Sequence, residues 1–212
     1  MFQFDRSSLY VKPDLADAFR VVWTQIAAPG TWWTGPERVA LAKVGRAAYA
    51  GEEPPSGTGL SKAAVAAATL LGAKPAAISK QAIVEWQRSG LDSNQYVELV
   101  GVVSRVTAVD TFHRALGCDL EPLPAPNPGE PTRNLPAIPA RTTKAWVPMI
   151  GPPSIPISLS AVPTESDGLE ALHAAMYLAY EEMGNPVIQR GLSRVQMELV
   201  AARASVVNEC FY

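Results

Sequence analysis

Hydrophobic residues recur at three- and four-residue spacing through most of this chain, which is typical of helices that bury one face. Polar residues that favour helix starts open these stretches, and glycine or a Gly-Asn-Pro sequence closes several of them. We find no convincing hairpin signal and no Val/Ile-Thr alternation of the kind that marks strands. The pattern predicts an all-α protein with helices over residues 14–27, 34–44, 61–71, 79–88, 92–116, 165–183 and 193–208.

Three of the predicted helices begin with a capping pair, in which a polar residue is followed three positions later by Glu or Gln. The pairs are Thr34 and Glu37, Asp92 and Gln95, and Ser193 and Gln196. The helix over 92–116 is rich in valine, which would also suit a strand. Its polar and small residues repeat at three to four positions, however, and favour a helix with a wide buried face. They are Glu98, Gly101, Arg105, Ala108 and Thr111.

Proline divides the chain, because 12 of the 19 prolines lie between Pro122 and Pro163. We therefore predict three parts: a helical half over 1–120, a Pro-rich connecting segment over 121–163, and the start of a second helical half over 164–212. The connecting segment is long and carries several large apolar residues, so we expect much of it to pack on the helices. These residues are Trp146, Ile150, Ile155 and Leu159.

Composition and charge narrow the class of protein. With 212 residues, 48% of them hydrophobic, the chain is long enough for a sizeable core, and a net charge of -2 argues against nucleic-acid binding. The first ten residues lack the apolar run of a signal peptide, and no stretch is apolar for about 18 residues, so we expect a cytoplasmic protein without a membrane span. Two cysteines 92 positions apart exclude a disulfide framework and a zinc cluster, and we expect no cofactor or metal.

Cys210 and Glu198 are the strongest candidates for chemistry. Cys210 follows a predicted helix end at Asn208, and in the first turn of a further helix the amide dipoles would favour its thiolate. Glu198, twelve residues earlier in an apolar run, is expected at a buried position, where its pKa would be raised and it could relay protons. The alternative is a small buried Cys210 and an exposed helix charge at Glu198.

Other reactive side chains favour structural roles. Cys118 follows Gly117 at a helix end, where the dipole disfavours a thiolate, and His113 and His173 lie more than one turn from either cysteine. The Trp32-Trp33 pair is most simply a core element at a corner between helices, with a pocket wall as the alternative.

The last residues of the chain, GNPVIQRGLSRVQMELVAARASVVNECFY, resemble the core of the alkylhydroperoxidase D-like, or carboxymuconolactone decarboxylase-like, superfamily. The matching positions are Glu198, Leu199, Val200, Ser205, Asn208 and Cys210. Two upstream strings, PGTWWTGPERVALAKVGRAAYA and YVELVGVVSRVTAVDTFHRALG, look like a degenerate half of the same kind. In that half Glu37 corresponds to Glu198, but Tyr49 stands twelve residues after it, where a cysteine would be needed.

The resemblance implies an alkylhydroperoxidase-like helical bundle of two related halves, and an oxidoreductase that reduces hydroperoxides with a cysteine pair. Glu198 would be the acid/base of the proton relay, Cys210 the first cysteine of a CxxC motif, and a thiol/disulfide protein the electron donor. The second cysteine would fall at position 213 and the relay histidine at position 217, beyond this sequence. We therefore expect that this chain is a fragment of a longer product and that it is weakly active or inactive alone. The alternative is a complete chain that has lost its dithiol chemistry.

Two further functions stay open at this point. A lyase of the carboxymuconolactone decarboxylase type would not need the CxxC motif. A non-catalytic helical assembly module would instead bury Glu198 at a subunit contact. A homo-oligomer is expected in every case, because helices with wide apolar faces commonly complete their cores across a symmetric interface.

Overall fold

The structure is a computed structural model, and it describes residues 2–152 and 154–210. It is mostly helical, which confirms the all-α prediction. The α-helices in this part of the chain are α1 (Pro13–Ala27), α2 (Gly35–Tyr49), α3 (Lys62–Ala73), α4 (Lys80–Arg88), α5 (Ser93–Ala115), α6 (Pro163–Met176) and α7 (Arg194–Val207). Short 3₁₀ turns cover Pro75–Ala77, Ile155–Ile157 and Tyr180–Glu182.

The predicted capping pairs start α2, α5 and α7 as expected, each with both hydrogen bonds of the capping box. In α2, the Thr34 backbone N–H donates to Glu37 Oε2 at 2.8 Å, while the Glu37 N–H donates to Thr34 Oγ1 at 3.4 Å. Each box satisfies two donors that the first turn of a helix cannot pair internally. Local sequence therefore determines where these three helices begin.

The main core lies between α1, α2, α3 and α5. Helices α2 and α3 approach closely, so that a Cβ on Gly72 would meet the carbonyl oxygen of Gly45. Gly45 in turn lies against Val103 of α5, which is buried. Two glycines thus let three helix backbones pack closely around small and β-branched side chains.

The Pro-rich segment packs on this core at its start. The Asn127 backbone N–H donates to the Ala27 carbonyl at 2.8 Å, and the Thr132 N–H donates to the Gly30 carbonyl at 2.9 Å. Further along, Leu159 is buried, but Trp146 is 48% exposed, so the expectation that Trp146 packs on the helices is wrong. The side chain of Ile155 lies outside the described part of the chain.

The helix expected over 165–183 is too long, because α6 ends at Met176. Tyr177 leaves the helical conformation at φ −142° and ψ −90°, which turns the chain so that Leu178 is fully buried. The carbonyl of Leu178 then contacts Nδ1 of His173. Burial of one leucine thus ends a helix whose sequence carries no stop signal before Gly184.

A short hairpin that the sequence did not predict leads into α7. Its strands β1 (Gln189–Arg190) and β2 (Leu192–Ser193) pair antiparallel on either side of Gly191. Gly191 has φ +84°, a conformation that glycine adopts without steric cost. Strands of two residues are too short for alternation to be visible in a sequence.

Candidate functional site

Cys210 lies directly after the C-terminal end of α7. The Cys210 backbone N–H donates to the Ser205 carbonyl at 3.0 Å, and the Glu209 N–H donates to the Val206 carbonyl at 3.3 Å. With Glu209 at φ +53°, these bonds form a Schellman motif, which usually has glycine at the left-handed position. The thiol of Cys210 is free and exposed, which contradicts the alternative of a small buried cysteine. Cys210 lies at the C-terminal end of α7, where the helix dipole disfavours a thiolate, and the further helix expected after it would lie outside the described residues.

Glu198 is exposed, so the expectation that it lies at a buried position with a raised pKa is wrong. Half of its side chain is accessible, and its Oε1 accepts hydrogen bonds from the Tyr177 hydroxyl and from Arg194 Nε, the latter at 2.7 Å. The Tyr177 hydrogen bond, together with Arg194, lowers the pKa of Glu198. At 1.5 Å per residue, the nine residues from Glu198 to Val207 span about 14 Å along the axis of α7. Glu198 is therefore an ionised acceptor that lies well away from the Cys210 end of the helix.

Four buried charged side chains lie elsewhere and form a cluster: Arg38 of α2, Glu98 and Arg105 of α5, and Glu165 of α6. Each of these side chains is at most 2% exposed. Arg38 pairs with Glu98 through Nη1, and its Nη2 lies 2.8 Å from Glu165 Oε1. Arg105 pairs with the other oxygen of Glu165. Two arginines and two glutamates thus join three helices with no net charge.

Backbone and neutral groups add hydrogen bonds to this charge cluster, although the buried Arg38 Nε has no hydrogen-bond partner among the described residues. The Trp32 backbone N–H donates to Glu98 Oε2 at 2.6 Å. Arg105 Nη1 donates to Gln25 Oε1 at 2.6 Å, and Arg105 Nε donates to the Gly101 carbonyl at 3.0 Å. Burial raises the pKa of Glu98, against the opposing effect of Arg38, and burial lowers the pKa of Arg105, against the opposing effect of Glu165.

Three glycines make room for the charge cluster. A Cβ at Gly30 would meet the Glu98 carboxylate, one at Gly101 would meet Glu165, and one at Gly168 would meet the Arg105 guanidinium. These positions come from three different parts of the chain, so the space around the four charges depends on all of them. The cluster can be accommodated only because no side chain stands at these positions.

A cavity of about 270 Å³ opens beside the charge cluster, between the end of α1 and the start of α6. Arg38, Glu165 and Gln25 line its inner side, and Thr132 of the Pro-rich segment lines its outer side. Pockets for drug-sized ligands usually measure about 300–1,000 Å³. This cavity is therefore suited to water or a small polar molecule beside Arg38 and Glu165, and Arg38 Nε is buried without a hydrogen-bond partner among the described residues.

The remaining candidates occupy structural positions. His113 is buried among Phe2, Phe4 and Phe19, with Nδ1 2.8 Å from the Val109 carbonyl. Cys118 is half-buried beyond the end of α5. His173 contacts the carbonyl of Leu178, as described above.

Trp33 is buried, and its indole N–H donates to the Gln95 carbonyl at 3.0 Å, which agrees with a core element between helices. Glu37 caps α2, as its capping pair predicted. Tyr49, twelve residues after Glu37, is partly exposed and lies beneath the Arg114 guanidinium at 4.3 Å.

Over the described residues, no group of three or more acidic, histidine or cysteine side chains could hold a metal ion. The same part of the chain has no helix long and apolar enough to cross a membrane. Comparisons with protein-family models, with curated proteins and with solved structures found no match.

Sequence reasoning missed the charge cluster, although two signals for it are present. Glu98 and Arg105 each interrupt an apolar stretch of α5, and Gly101 lies between them on the same helix face. The triplet Glu-Leu-Val also occurs twice, at 98–100 in α5 and at 198–200 in α7. The residues that follow Glu198 therefore recur after Glu98 in the long buried helix.

Proposed function

We propose that this chain belongs to a thiol-dependent hydroperoxide reductase in which Cys210 is the reacting residue. Cys210 lies at the C-terminal end of α7, where the helix dipole disfavours a thiolate, so other groups would have to activate it. The observation that carries the proposal is the exposed, free thiol of Cys210, held beyond this helix end by a left-handed glutamate. Non-glycine residues in this conformation are strained and tend to persist where function requires them. The repeated Glu-Leu-Val triplet supports the related proposal of two alkylhydroperoxidase-like halves.

The proposed reaction needs no metal or cofactor. The Cys210 thiolate attacks the outer oxygen of the hydroperoxide, the O–O bond breaks, and the departing alkoxide takes a proton to become an alcohol. Cys210 is thereby oxidised to a sulfenic acid. A thiol of the electron donor then displaces water from the sulfenic acid and forms a mixed disulfide, which a second donor thiol resolves.

In the proposed mechanism Glu198 takes part in the proton transfers only through intervening groups. Its carboxylate is separated from the end of α7 by about 14 Å along the helix axis, so a direct hydrogen bond to Cys210 is not available in this arrangement. Its lowered pKa makes it a proton acceptor rather than a donor near neutral pH. Water or residues of another subunit would have to connect the two side chains.

The experiment that tests the proposal is a single-turnover oxidation of the reduced chain by cumene hydroperoxide, with dimedone trapping and peptide mass spectrometry. Dimedone should label Cys210, and the labelling should be lost in Cys210→Ser and kept in Cys118→Ser. The two variants are matched, since they remove the only two thiols of the chain one at a time. Oxidation of Cys210 no faster than that of free cysteine at the same pH would refute an activated thiol.

A second measurement addresses Glu198. The rate of Cys210 alkylation by iodoacetamide should be followed against pH in the wild-type chain and in Glu198→Gln. A shifted profile in the variant would support a relay through intervening groups. An unchanged profile would remove Glu198 from the mechanism and leave Cys210 as the reacting residue alone.

A non-catalytic assembly module is the second candidate, and one observation favours it. Met197 is the buried residue of α7, while most of the apolar side chains of this helix are exposed. Such a surface is suited to contact with another protein chain.

A further inference from the structure

The cavity between the end of α1 and the start of α6 borders the buried charge cluster. Arg38 and Glu165 line it, and both side chains are 2% exposed. Gly30 also lines it, and a Cβ there would meet Arg38 Nη1, so the guanidinium lies close behind the Gly30 backbone. A molecule in this cavity is therefore placed next to buried charges that the thiol chemistry does not use.

Arg38 has a donor without an acceptor. Its Nη1 donates to Glu98, and its Nη2 donates to the Gln25 carbonyl at 3.2 Å and lies 2.8 Å from Glu165 Oε1. Its Nε is buried and has no hydrogen-bond partner among the described residues. Buried donors in proteins are almost always paired, with protein groups, ordered water or a ligand, because an unpaired one is costly. The adjoining cavity is the space from which an acceptor would reach Arg38.

Two further donors border the same cavity. Gln25 Oε1 accepts from Arg105 Nη1 at 2.6 Å, which orients the amide and leaves Gln25 Nε2 without a partner among the described residues. Helix α6 begins after Val162, which provides no side-chain cap, and Thr164 in its first turn lines the cavity. The first N–H groups of a helix have no partner within the helix. The wall of the cavity therefore favours a ligand with an acceptor oxygen.

The charges around the cavity decide which acceptor it can hold. The four buried charges sum to zero, so an anionic ligand would lie beside Glu165 without an additional cation to compensate it. The exposed Asp167 also lines the cavity and would repel an anion. A cationic ligand would be attracted to Asp167 but would lie beside the Arg38 guanidinium. The cavity therefore favours a neutral ligand that also carries a hydrogen-bond donor for Asp167.

We infer that this cavity binds a small neutral carboxamide. The amide carbonyl oxygen accepts hydrogen bonds from Arg38 Nε and Gln25 Nε2, and the amide N–H group donates to the Asp167 carboxylate. The cavity volume of about 270 Å³ lies just below the range of pockets for drug-sized ligands, so the ligand has few heavy atoms. No cysteine lines the cavity, so the inference goes beyond the thiol chemistry and does not depend on it.

The test is a titration of the isotope-labelled full chain with acetamide, followed by nitrogen–proton correlation NMR, which detects arginine Nε–H and glutamine side-chain amide groups directly. The resonances of Arg38 Nε–H and Gln25 Nε2 should shift along one saturable curve. A ligand of so few atoms makes few contacts, so the dissociation constant should be about 1–100 mM. Acetate and methylammonium at the same ionic strength are the matched anion and cation, and each should bind at least about tenfold more weakly.

Two pairs of variants at exposed positions locate the bound amide. Thr132→Trp should fill the outer side of the cavity and abolish the shifts. Thr143→Trp, in the same Pro-rich segment but outside the cavity lining, should leave the dissociation constant within about twofold. Asp167→Ala should raise the dissociation constant at least about fivefold, because the acceptor of the amide N–H is lost. Asp17→Ala, which removes an exposed carboxylate of α1, should leave it unchanged.

Each result decides for or against a carboxamide site. No saturable shift at about 500 mM acetamide, with magnetisation transfer from water to Arg38 Nε–H, would show that the cavity holds water only and would overturn the inference. Binding of acetate or methylammonium as tight as that of acetamide would also overturn it, and so would unchanged binding in Thr132→Trp. The backbone resonances of the same spectra establish that each variant remains folded. The readout involves no thiol, so its outcome is independent of any peroxidase activity.

Discussion

Neutralising Glu165 is the sharpest test of the charge cluster. Glu165 accepts charge-assisted hydrogen bonds from Arg38 and Arg105 and is 2% exposed. Glu165→Gln keeps the size of the side chain but leaves two buried arginines with one carboxylate, that of Glu98. The net charge of the cluster changes from zero to +1, among side chains that are at most 2% exposed.

The expected loss of stability in Glu165→Gln follows from the burial of all four side chains of the charge cluster. Removal of one partner from a fully buried ion pair costs about 3–5 kcal/mol, because the remaining charge stays desolvated and uncompensated. Domains of this kind have unfolding free energies of about 5–15 kcal/mol, so the variant should lose a large share of its stability. With a urea dependence of about 2 kcal/mol per molar, the midpoint should fall by about 1.5–2.5 M.

The assay is a urea titration followed by circular dichroism, with Asp17→Asn as the matched control. Asp17 pairs with Arg20 on the surface of α1, with 67% of the Asp17 side chain exposed. Loss of this pair should change the free energy of unfolding by less than about 0.5 kcal/mol. The control therefore separates the effect of burial from that of charge removal alone.

A double-mutant cycle supplies the refuting result. Addition of Arg105→Gln to Glu165→Gln restores charge balance, so the double variant should be more stable than the sum of the single effects predicts, by at least about 2 kcal/mol. Additive effects would show that the two side chains do not act as a pair. A loss below about 1 kcal/mol for Glu165→Gln alone would likewise refute a fully desolvated cluster.

Three further predictions concern packing, pH and the end of α7. Gly101→Ala should lower the free energy of unfolding by about 1–3 kcal/mol in the urea titration, because its Cβ would meet Glu165. Gly184→Ala is the control: its Cβ would meet nothing within 4 Å, so the free energy of unfolding should change by less than about 0.5 kcal/mol. Burial raises the pKa of Glu98 above its ordinary value of 4.5, so the folded chain retains a proton that the unfolded chain releases. The contribution of Glu98 to stability should therefore fall as the pH rises from 4.5 through its pKa in the folded chain. Glu98→Gln should flatten the measured dependence of the free energy of unfolding on pH, and an unchanged slope would contradict a raised pKa of Glu98. Glu209→Gly should relieve the left-handed strain by about 1 kcal/mol and slow hydrogen exchange at the Cys210 amide about fivefold; an unchanged rate would show that the turn is not strained.

The parts of the fold that the sequence predicts are those with local causes. Capping boxes pair groups three residues apart, so the starts of α2, α5 and α7 could be located from residue types alone. The end of α6 could not, because the sequence carries no stop signal before Gly184, whereas the chain leaves the helix at Tyr177 and buries Leu178. The hairpin before α7 was missed because its two-residue strands carry no periodic signal.

The charge cluster escaped prediction for a related reason. Arg105 within an apolar helix indicates a polar interruption, but its partner Glu165 lies 60 residues away in α6. No spacing rule connects the two, since only the packing of α6 on α5 brings them together. Polar residues at helical spacing are usually exposed, and here Glu98, Gly101 and Arg105 instead form the face that α2 and α6 cover.

The contrast between Glu98 and Glu198 shows how neighbouring helices decide the chemistry of a shared local sequence. Both follow a capping box and precede Leu-Val, yet burial raises the pKa of Glu98, while the Tyr177 hydrogen bond lowers that of the exposed Glu198. A carboxylate can be buried at this position only where another helix supplies an arginine, as α2 supplies Arg38 to Glu98. The exposed Glu198 instead pairs with Arg194 of its own helix.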